Sequence, residues 1–172
     1  IELNYSKIEF KNCNFKNCKI FGALESISFT DCNFINCDFS NVNFTSSDFV
    51  RCNIEYSKFI GSIFIESKFY KVKFEECNIN YANFSSSCMK ETKFKKSQLN
   101  NTYYMEADFS KVNFDECEMI ASQFFKNKLQ GIDFSSCNIE GITVDINSLK
   151  GIKVNELQAI ELSKIMGIVI KS

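Results

Sequence analysis

Large apolar residues return every five positions from Phe10 to Val154, through Phe15, Ile20, Leu24, Phe29, Phe34, Phe39 and onward. Of the 19 Phe, 17 keep this step, and only Phe21 and Phe125 fall outside it. Two residues before each large side chain sits a compact one, as in Cys13, Cys18, Cys32, Cys37, Val42, Ser47, Cys52 and Ser57. Neither a helix of 3.6 residues per turn nor a strand of period two produces a step of five. A fixed period held through most of a chain predicts a solenoid. The step slips once, one residue short between Ile20 and Leu24, and then runs unbroken to Val154.

Units such as Cys32-Asn33-Phe34-Ile35-Asn36 and Ala82-Asn83-Phe84-Ser85-Ser86 resemble those of the pentapeptide-repeat family. The resemblance implies an all-β fold, a right-handed quadrilateral parallel β-helix in which four pentapeptides make one coil of 20 residues. Thirty large positions then give about seven and a half coils, a tube of ~36 Å at ~4.8 Å per coil. Residues 1–154 are expected to form the β-helix, and residues 155–172 a C-terminal capping and dimerisation segment. Like residues would stack in columns with no separate core, and each open end would need a cover.

Glycine and proline fit this register. Gly22, Gly61, Gly131, Gly141 and Gly151 each lie two residues after a large position, a corner slot where tolerance of positive φ is useful. Proline is absent, as suits a ladder in which every N–H needs a partner. Eight of the nine cysteines occupy the compact inward slot, and only Cys88 falls in an outward one. Inward thiols are expected to act as small hydrophobes. Their spacing merely repeats the period, and with no histidine in the chain no zinc site is indicated.

After Val154 the period stops. Residues 155–166 read as a short α-helix, with Asn155 as N-cap, Glu156 in the first turn and Gly167 as its C-terminal stop. Its apolar residues form two stripes: Ala159, Leu162 and Met166 to plug the last coil, and Leu157 and Ile160 to meet another chain. Ile168-Val169-Ile170 is expected to be a short strand with the same need. We therefore take Leu157, Ile160, Ile168 and Ile170 as a candidate dimer interface. This ending, with Gln158-Ala159 in the helix and a closing Gly167-Ile168-Val169-Ile170, resembles the C-terminus of the Qnr quinolone-resistance proteins. That resemblance implies a cytoplasmic homodimer joined through its C-terminal ends, a rod of ~70 Å built from two ~36 Å tubes. Such a rod would mimic DNA, bind DNA gyrase or topoisomerase IV, and protect them from quinolones. The unbroken register leaves no room for the projecting loops many Qnr proteins carry. A pentapeptide-repeat scaffold with a partner other than a topoisomerase is the alternative.

Charge bears on the contact surface. The chain holds 20 basic and 21 acidic residues, a formal net charge of −1, so any acidic face must arise from distribution. Residues 20 apart share a face, which groups Glu55, Glu75, Glu76, Asp115, Glu116 and Asp133 as a candidate topoisomerase-contacting surface, interrupted by Lys73, Lys93, Lys95 and Lys96. A second face sets Ile65, Met105 and Phe125 outward as a candidate apolar patch. The lack of histidine, of a P-loop and of a dinucleotide fingerprint argues against an enzyme and against any cofactor. No basic aromatic stripe is visible along the chain, so nucleic acid is not an expected partner. The lack of an 18-residue apolar run and of a signal-type segment points away from membranes.

Overall fold

Each coil places four three-residue stretches at the sides of a square, and the backbone of each side pairs with the same side of the next coil. The structure is a computed structural model and describes residues 8–171. It is a parallel β-solenoid of about seven turns with one α-helix at its C-terminal end. The first face is a six-stranded parallel sheet: Glu9–Lys11, Ser28–Thr30, Asp48–Val50, Lys68–Tyr70, Cys88–Lys90 and Asp108–Ser110. The second is its twin: Asn14–Lys16, Asn33–Ile35, Asn53–Glu55, Lys73–Glu75, Lys93–Lys95 and Asn113–Asp115. The third and fourth faces are joined mainly by single-residue parallel bridges, such as Lys58 to Asn78 and Ile63 to Asn83. Pairing runs 19 residues apart in the first coil, Phe10 to Phe29, and 20 thereafter, Phe29 to Phe49.

Inside, like stacks on like. Rings of successive coils lie 4.7 to 5.6 Å apart in each column, for example Phe44 on Phe64 at 5.2 Å and 3° between planes. Neighbouring faces meet edge to face, as Phe64 and Phe69 do at 5.5 Å and 68°. Both arrangements suit the aromatic quadrupole.

The compact slot does more than fill space. Ser62 Oγ donates to Phe39 O at 2.7 Å, Cys52 Sγ to Phe29 O at 3.4 Å and Thr92 Oγ1 to Phe69 O at 3.3 Å. Serine, threonine and cysteine are therefore interchangeable there, as small buried donors to a carbonyl 23 residues back.

The corner slot is the second surprise of the backbone. Twenty-two non-glycine residues between Asn12 and Lys126 have φ between 49° and 63°, every one two residues after a large position. Such a conformation costs an L-residue roughly 1–2 kcal/mol. Glycine is needed less than the sequence pattern implied, because the corner N–H joins the ladder: Arg51 N donates to Tyr70 O at 2.8 Å and Glu91 N to Ser110 O at 2.8 Å. At Gly61 a Cβ would lie 2.6 Å from Asn41 Oδ1, the end of an exposed side chain that can turn aside.

Two departures from the expected unbroken register occur late in the chain. Ser148, not Asn147, takes the buried slot of its repeat, and i to i+3 bonds close successive turns, such as Ser148 N to Asp145 O at 3.0 Å. In addition, both six-stranded sheets stop at Asp108–Ser110 and Asn113–Asp115, while the third face continues from Glu118 to Asn138 and the fourth from Gln123 to Thr143. The first two faces are thus splayed before the last coils. Asn127 bridges part of the opening, its Nδ2 donating to Tyr104 O at 2.7 Å and Ala107 O at 2.8 Å.

Tyr104 substitutes for Phe within a column, stacked on Phe84 at 5.4 Å and Phe124 at 4.7 Å. It is fully buried, and its hydroxyl has no hydrogen-bond partner among the described residues. Thr102 Oγ1, close by, already donates to Leu99 O at 2.7 Å. Tyr104→Phe is expected to stabilise the tube by about 1 kcal/mol, since it removes an unsatisfied buried group and keeps the ring. A urea midpoint that stays put or falls would show that the hydroxyl is satisfied.

Candidate interaction site

The C-terminal end is where backbone, helix and exposed apolar surface converge. Glu156–Ile165 forms the helix. Asn155 caps it: Gln158 N donates to Asn155 Oδ1 at 3.0 Å while Asn155 N donates to Gln158 Oε1 at 2.9 Å, a reciprocal capping box. The other end of the Gln158 amide does separate work. Its Nε2 donates to Phe134 O at 2.9 Å and Cys137 O at 2.7 Å, the carbonyls that a further coil would otherwise have taken. Gln158 therefore stands in for the missing coil, a role the helical pattern alone did not reveal. Gly167, at φ 76°, ends the helix with Gly167 N on Lys164 O and Ile168 N on Ser163 O, a Schellman motif.

The plug differs from the expected one. Of Ala159, Leu162 and Met166, only Leu162 is buried, and Met166 stays half exposed. Helix rotation is set by the two Gln158 bonds, which turn Gln158 and Leu162, four apart, toward the tube. Ile168-Val169-Ile170 makes no strand within this chain, and all three residues are exposed. Leu157 (76% exposed), Ile160, Ile168 and Ile170 all face solvent, as do Ile165 and Val169. An open groove of about 620 Å³ lies between Asn138–Ile142 of the last coils and the helix residues Leu157, Glu161, Leu162 and Ile165.

The acidic group is divided by the fold. Glu75 is held by Lys73 and, at 3.3 Å, by Lys95; the hydrogen bond from Lys73, ahead of that from Lys95, keeps its carboxyl below the usual range. Glu116 lies 3.9 Å from Lys96. Asp133 accepts from the Ser135 hydroxyl and N–H, which lower its pKa. Glu55 and Glu76 sit beside this lysine-rich middle, whereas Asp115, Glu116 and Asp133 lie in the last coils. All these carboxylates are at the surface, where pairs contribute little. Charge is also sorted along the rod. From Lys68 to Lys96 there are seven lysines and three carboxylates, and from Glu106 to Glu161 ten carboxylates and five lysines.

Of the apolar trio, Met105 is half exposed while Ile65 and Phe125 are only partly so. Tyr103, next to Met105 on the fourth face, is also exposed, and so are Tyr56 and Tyr81 at corner positions; their slots in the five-residue unit were the available signal. Cys52 and Cys77 are held in the neutral thiol form. Burial pushes Cys52 up to about 11 and Cys77 up to about 12. Cys117 and Cys137 occupy the same slot one coil apart, and the contact between the two thiols raises the pKa of the first and lowers that of the second. All nine cysteines are free, with Cys88 exposed. Among the described residues no group of three or more His, Cys, Asp or Glu could hold a metal, and no helix is long and apolar enough to cross a membrane.

A family model described as "Pentapeptide repeat region" matches residues 27–104, and a second, "Pentapeptide repeats (8 copies)", matches residues 105–141. No curated protein matches the chain. Among solved structures, trypsin-treated QnrB1, a plasmid-mediated fluoroquinolone resistance protein, aligns over 98% of this chain and 94% of its own, at 18% identity and a TM-score of 0.46. HetL, a pentapeptide repeat protein involved in heterocyst differentiation regulation in the cyanobacterium Nostoc sp. strain PCC 7120, aligns over 89% and 92% at 9% identity and a TM-score of 0.28. A pentapeptide repeat protein of the Arabidopsis thaliana thylakoid lumen aligns over 84% and 76% at 15% identity and a TM-score of 0.32. At these identities the likeness concerns the coil architecture alone.

If Gln158 closes the tube, Gln158→Ala takes the amide donor from Cys137 O, leaves Phe134 O with the Cys137 N–H alone at 2.9 Å, and also loses the capping box. A loss of about 2 kcal/mol is expected, against less than about 0.5 kcal/mol for Ala159→Ser at the exposed neighbour. Equal urea midpoints for the two variants would remove Gln158 from this role.

Proposed function

We propose that this chain, which belongs to the pentapeptide-repeat proteins, is an interaction protein of the topoisomerase-binding kind. Two tubes join through their C-terminal ends, and the acidic last coils beside the junction dock on the DNA-binding surface of gyrase or topoisomerase IV, shielding it from quinolones. The observation that carries this reading is the C-terminal end. There a capped helix closes the tube yet leaves Leu157, Ile160, Ile168 and Ile170 in water, an arrangement that calls for a second apolar surface. The same segment is the one that resembles the Qnr ending. Joined at that end, two chains would bring Asp115, Glu116 and Asp133, with Glu118 and Glu140, toward the middle of the rod. Glu55, Glu75 and Glu76 stand farther off, among lysines, and contribute less to such a contact. A rod of this kind acts by shape and charge, without turnover.

The alternative, a scaffold for a partner other than a topoisomerase, draws support from the lysine-rich middle coils, which a uniformly acidic DNA mimic would lack.

Two measurements test the proposal. In solution the chain should have the mass of a dimer, and Leu157→Glu or Ile160→Glu should give a folded monomer; a dimer surviving both changes would place the interface elsewhere. In a gyrase supercoiling assay with a fluoroquinolone, low micromolar protein should restore supercoiling. No rescue would leave the scaffold reading in its place.

A further inference from the structure

Folding gathers lysines that look scattered along the chain. Lys71 and Lys111 occupy the same corner two coils apart, and Lys73 and Lys93 begin adjacent strands of the second face. With Val72 and Glu91 they line one open groove of about 490 Å³ at the edge between the first two faces. Beside it, on the first face, Tyr70 carries two ammonium groups, Lys71 Nζ at 5.2 Å and Lys90 Nζ at 5.7 Å from the ring centroid. Carboxylates answer only part of this charge. Glu75 is shared by Lys73 and Lys95, and Glu91 lies 3.9 Å from Lys71. Lys93 and Lys111 make no ion pair with a described residue. From Cys77 to Ser87 the third and fourth faces carry no charge, with Asn78, Asn80, Asn83, Ser85 and Ser86 outward, and in the following coils they add the carboxylates Glu106 and Glu118, so the basic zone is confined to the first two faces.

We propose that this edge, centred on Lys71, Lys73, Lys93 and Lys111, binds the phosphate backbone of duplex nucleic acid without reading its sequence. A lysine ammonium is a compact point charge that neutralises phosphate, and it lacks the planar fork of arginine that reads guanine. A protein partner fits the groove less well. Lysine is depleted at protein interfaces, which rely on aromatic and apolar anchors, and the one apolar lining residue, Val72, is buried. Single strands are disfavoured too. They need free aromatic rings to stack on, and Tyr70 is half-buried with Lys71 and Lys90 already at its ring. The straight edge of a rigid rod, with Lys73 and Lys93 one coil (~4.8 Å) apart and Lys71 and Lys111 two coils apart on either side of Glu91, suits a charged line such as a duplex strand. This surface is separate from the C-terminal end. The duplex measurement needs no gyrase, so either reading can fail while the other stands.

The test is the anisotropy of a fluorescent random-sequence duplex of about 20 base pairs titrated with the full chain at about 50 mM salt. With about four phosphates neutralised, affinity should fall roughly a hundredfold between about 50 and 200 mM salt. Lys71→Glu, Lys93→Glu and Lys111→Glu together should weaken binding at least tenfold. Lys16→Glu, Lys58→Glu and Lys153→Glu, the same change in net charge placed elsewhere, should weaken it less than about threefold. Circular dichroism confirms that both triple variants fold. Three results would overturn the proposal: no binding at about 100 µM protein, equal losses in the two variants, or displacement of the duplex by polyglutamate at equal charge concentration.

Discussion

Each coil rests on the next through a ring stacked on a ring at 4.7 to 5.6 Å, a separation that nearly matches the spacing of paired strands, ~4.7–4.9 Å. A repeat of 20 residues therefore satisfies aromatic packing and backbone hydrogen bonding together wherever rings follow one another in a column, and after Phe59 the third column keeps the same step with Ile79, Leu99 and Met119. Because the two are coupled, an inserted or deleted residue shifts every contact downstream in its coil. The one-residue deficit near Ile20 is confined to the first coil, where pairing runs 19 apart, and the ladder resumes at 20 from Ala23 to Asn43. The same coupling explains why ordinary residues accept positive φ at the corners. A corner N–H that donates to the next coil offsets strain that an isolated turn would not tolerate.

A structure stabilised by stacking has its difficulty where stacking stops. Two amide side chains meet it in the same way. Asn127 Nδ2 bonds two carbonyls where the first face splays, and Gln158 Nε2 bonds two where the tube ends. Each has the geometry of a backbone donor and the reach to cover two acceptors. Gln158 also keeps its Oε1 for the helix N-cap, so closing the tube and orienting the helix are one event. That orientation decides which apolar residues are left outside.

The coil architecture was legible because its signal is redundant: ring, compact slot and glycine corner all carry the same step of five. The helix and its caps at Asn155 and Gly167 were legible for local reasons. What escaped was whatever depended on contacts across coils. The rotation of the helix, which exposes Ala159 and Met166, follows from two bonds made by Gln158 to residues more than 20 positions back. The turn at Ser148 follows from Asp145, which accepts from Lys126 N and from Ser148. The donor role of the inward cysteines is shared with serine and threonine and becomes visible only once the carbonyl 23 residues earlier is in place. Likewise the acidic column could be grouped from the period, but its neutralisation at Glu75 required knowing that Lys95 reaches across from the next strand.

Near-neutral net charge is often taken to mean an unremarkable surface, and a solenoid is where that inference is weakest. Its faces are assembled from residues 20 apart, so a local run of charge in the chain is spread around the tube, and a sparse one can be gathered into an edge. Here a middle zone with seven lysines against three carboxylates is followed by coils and a helix with ten carboxylates against five lysines. Within the middle zone every lysine lies on two adjoining faces, while the opposite two carry asparagine and serine. Rigidity preserves this sorting, because stacked coils cannot shift to bring opposite charges together. The potential near each zone then reflects its own residues within a Debye length of roughly 8 Å, a distance of less than two coils. One straight rod can thus present a basic edge at its middle and an acidic, apolar-tipped end, each to a different kind of surface.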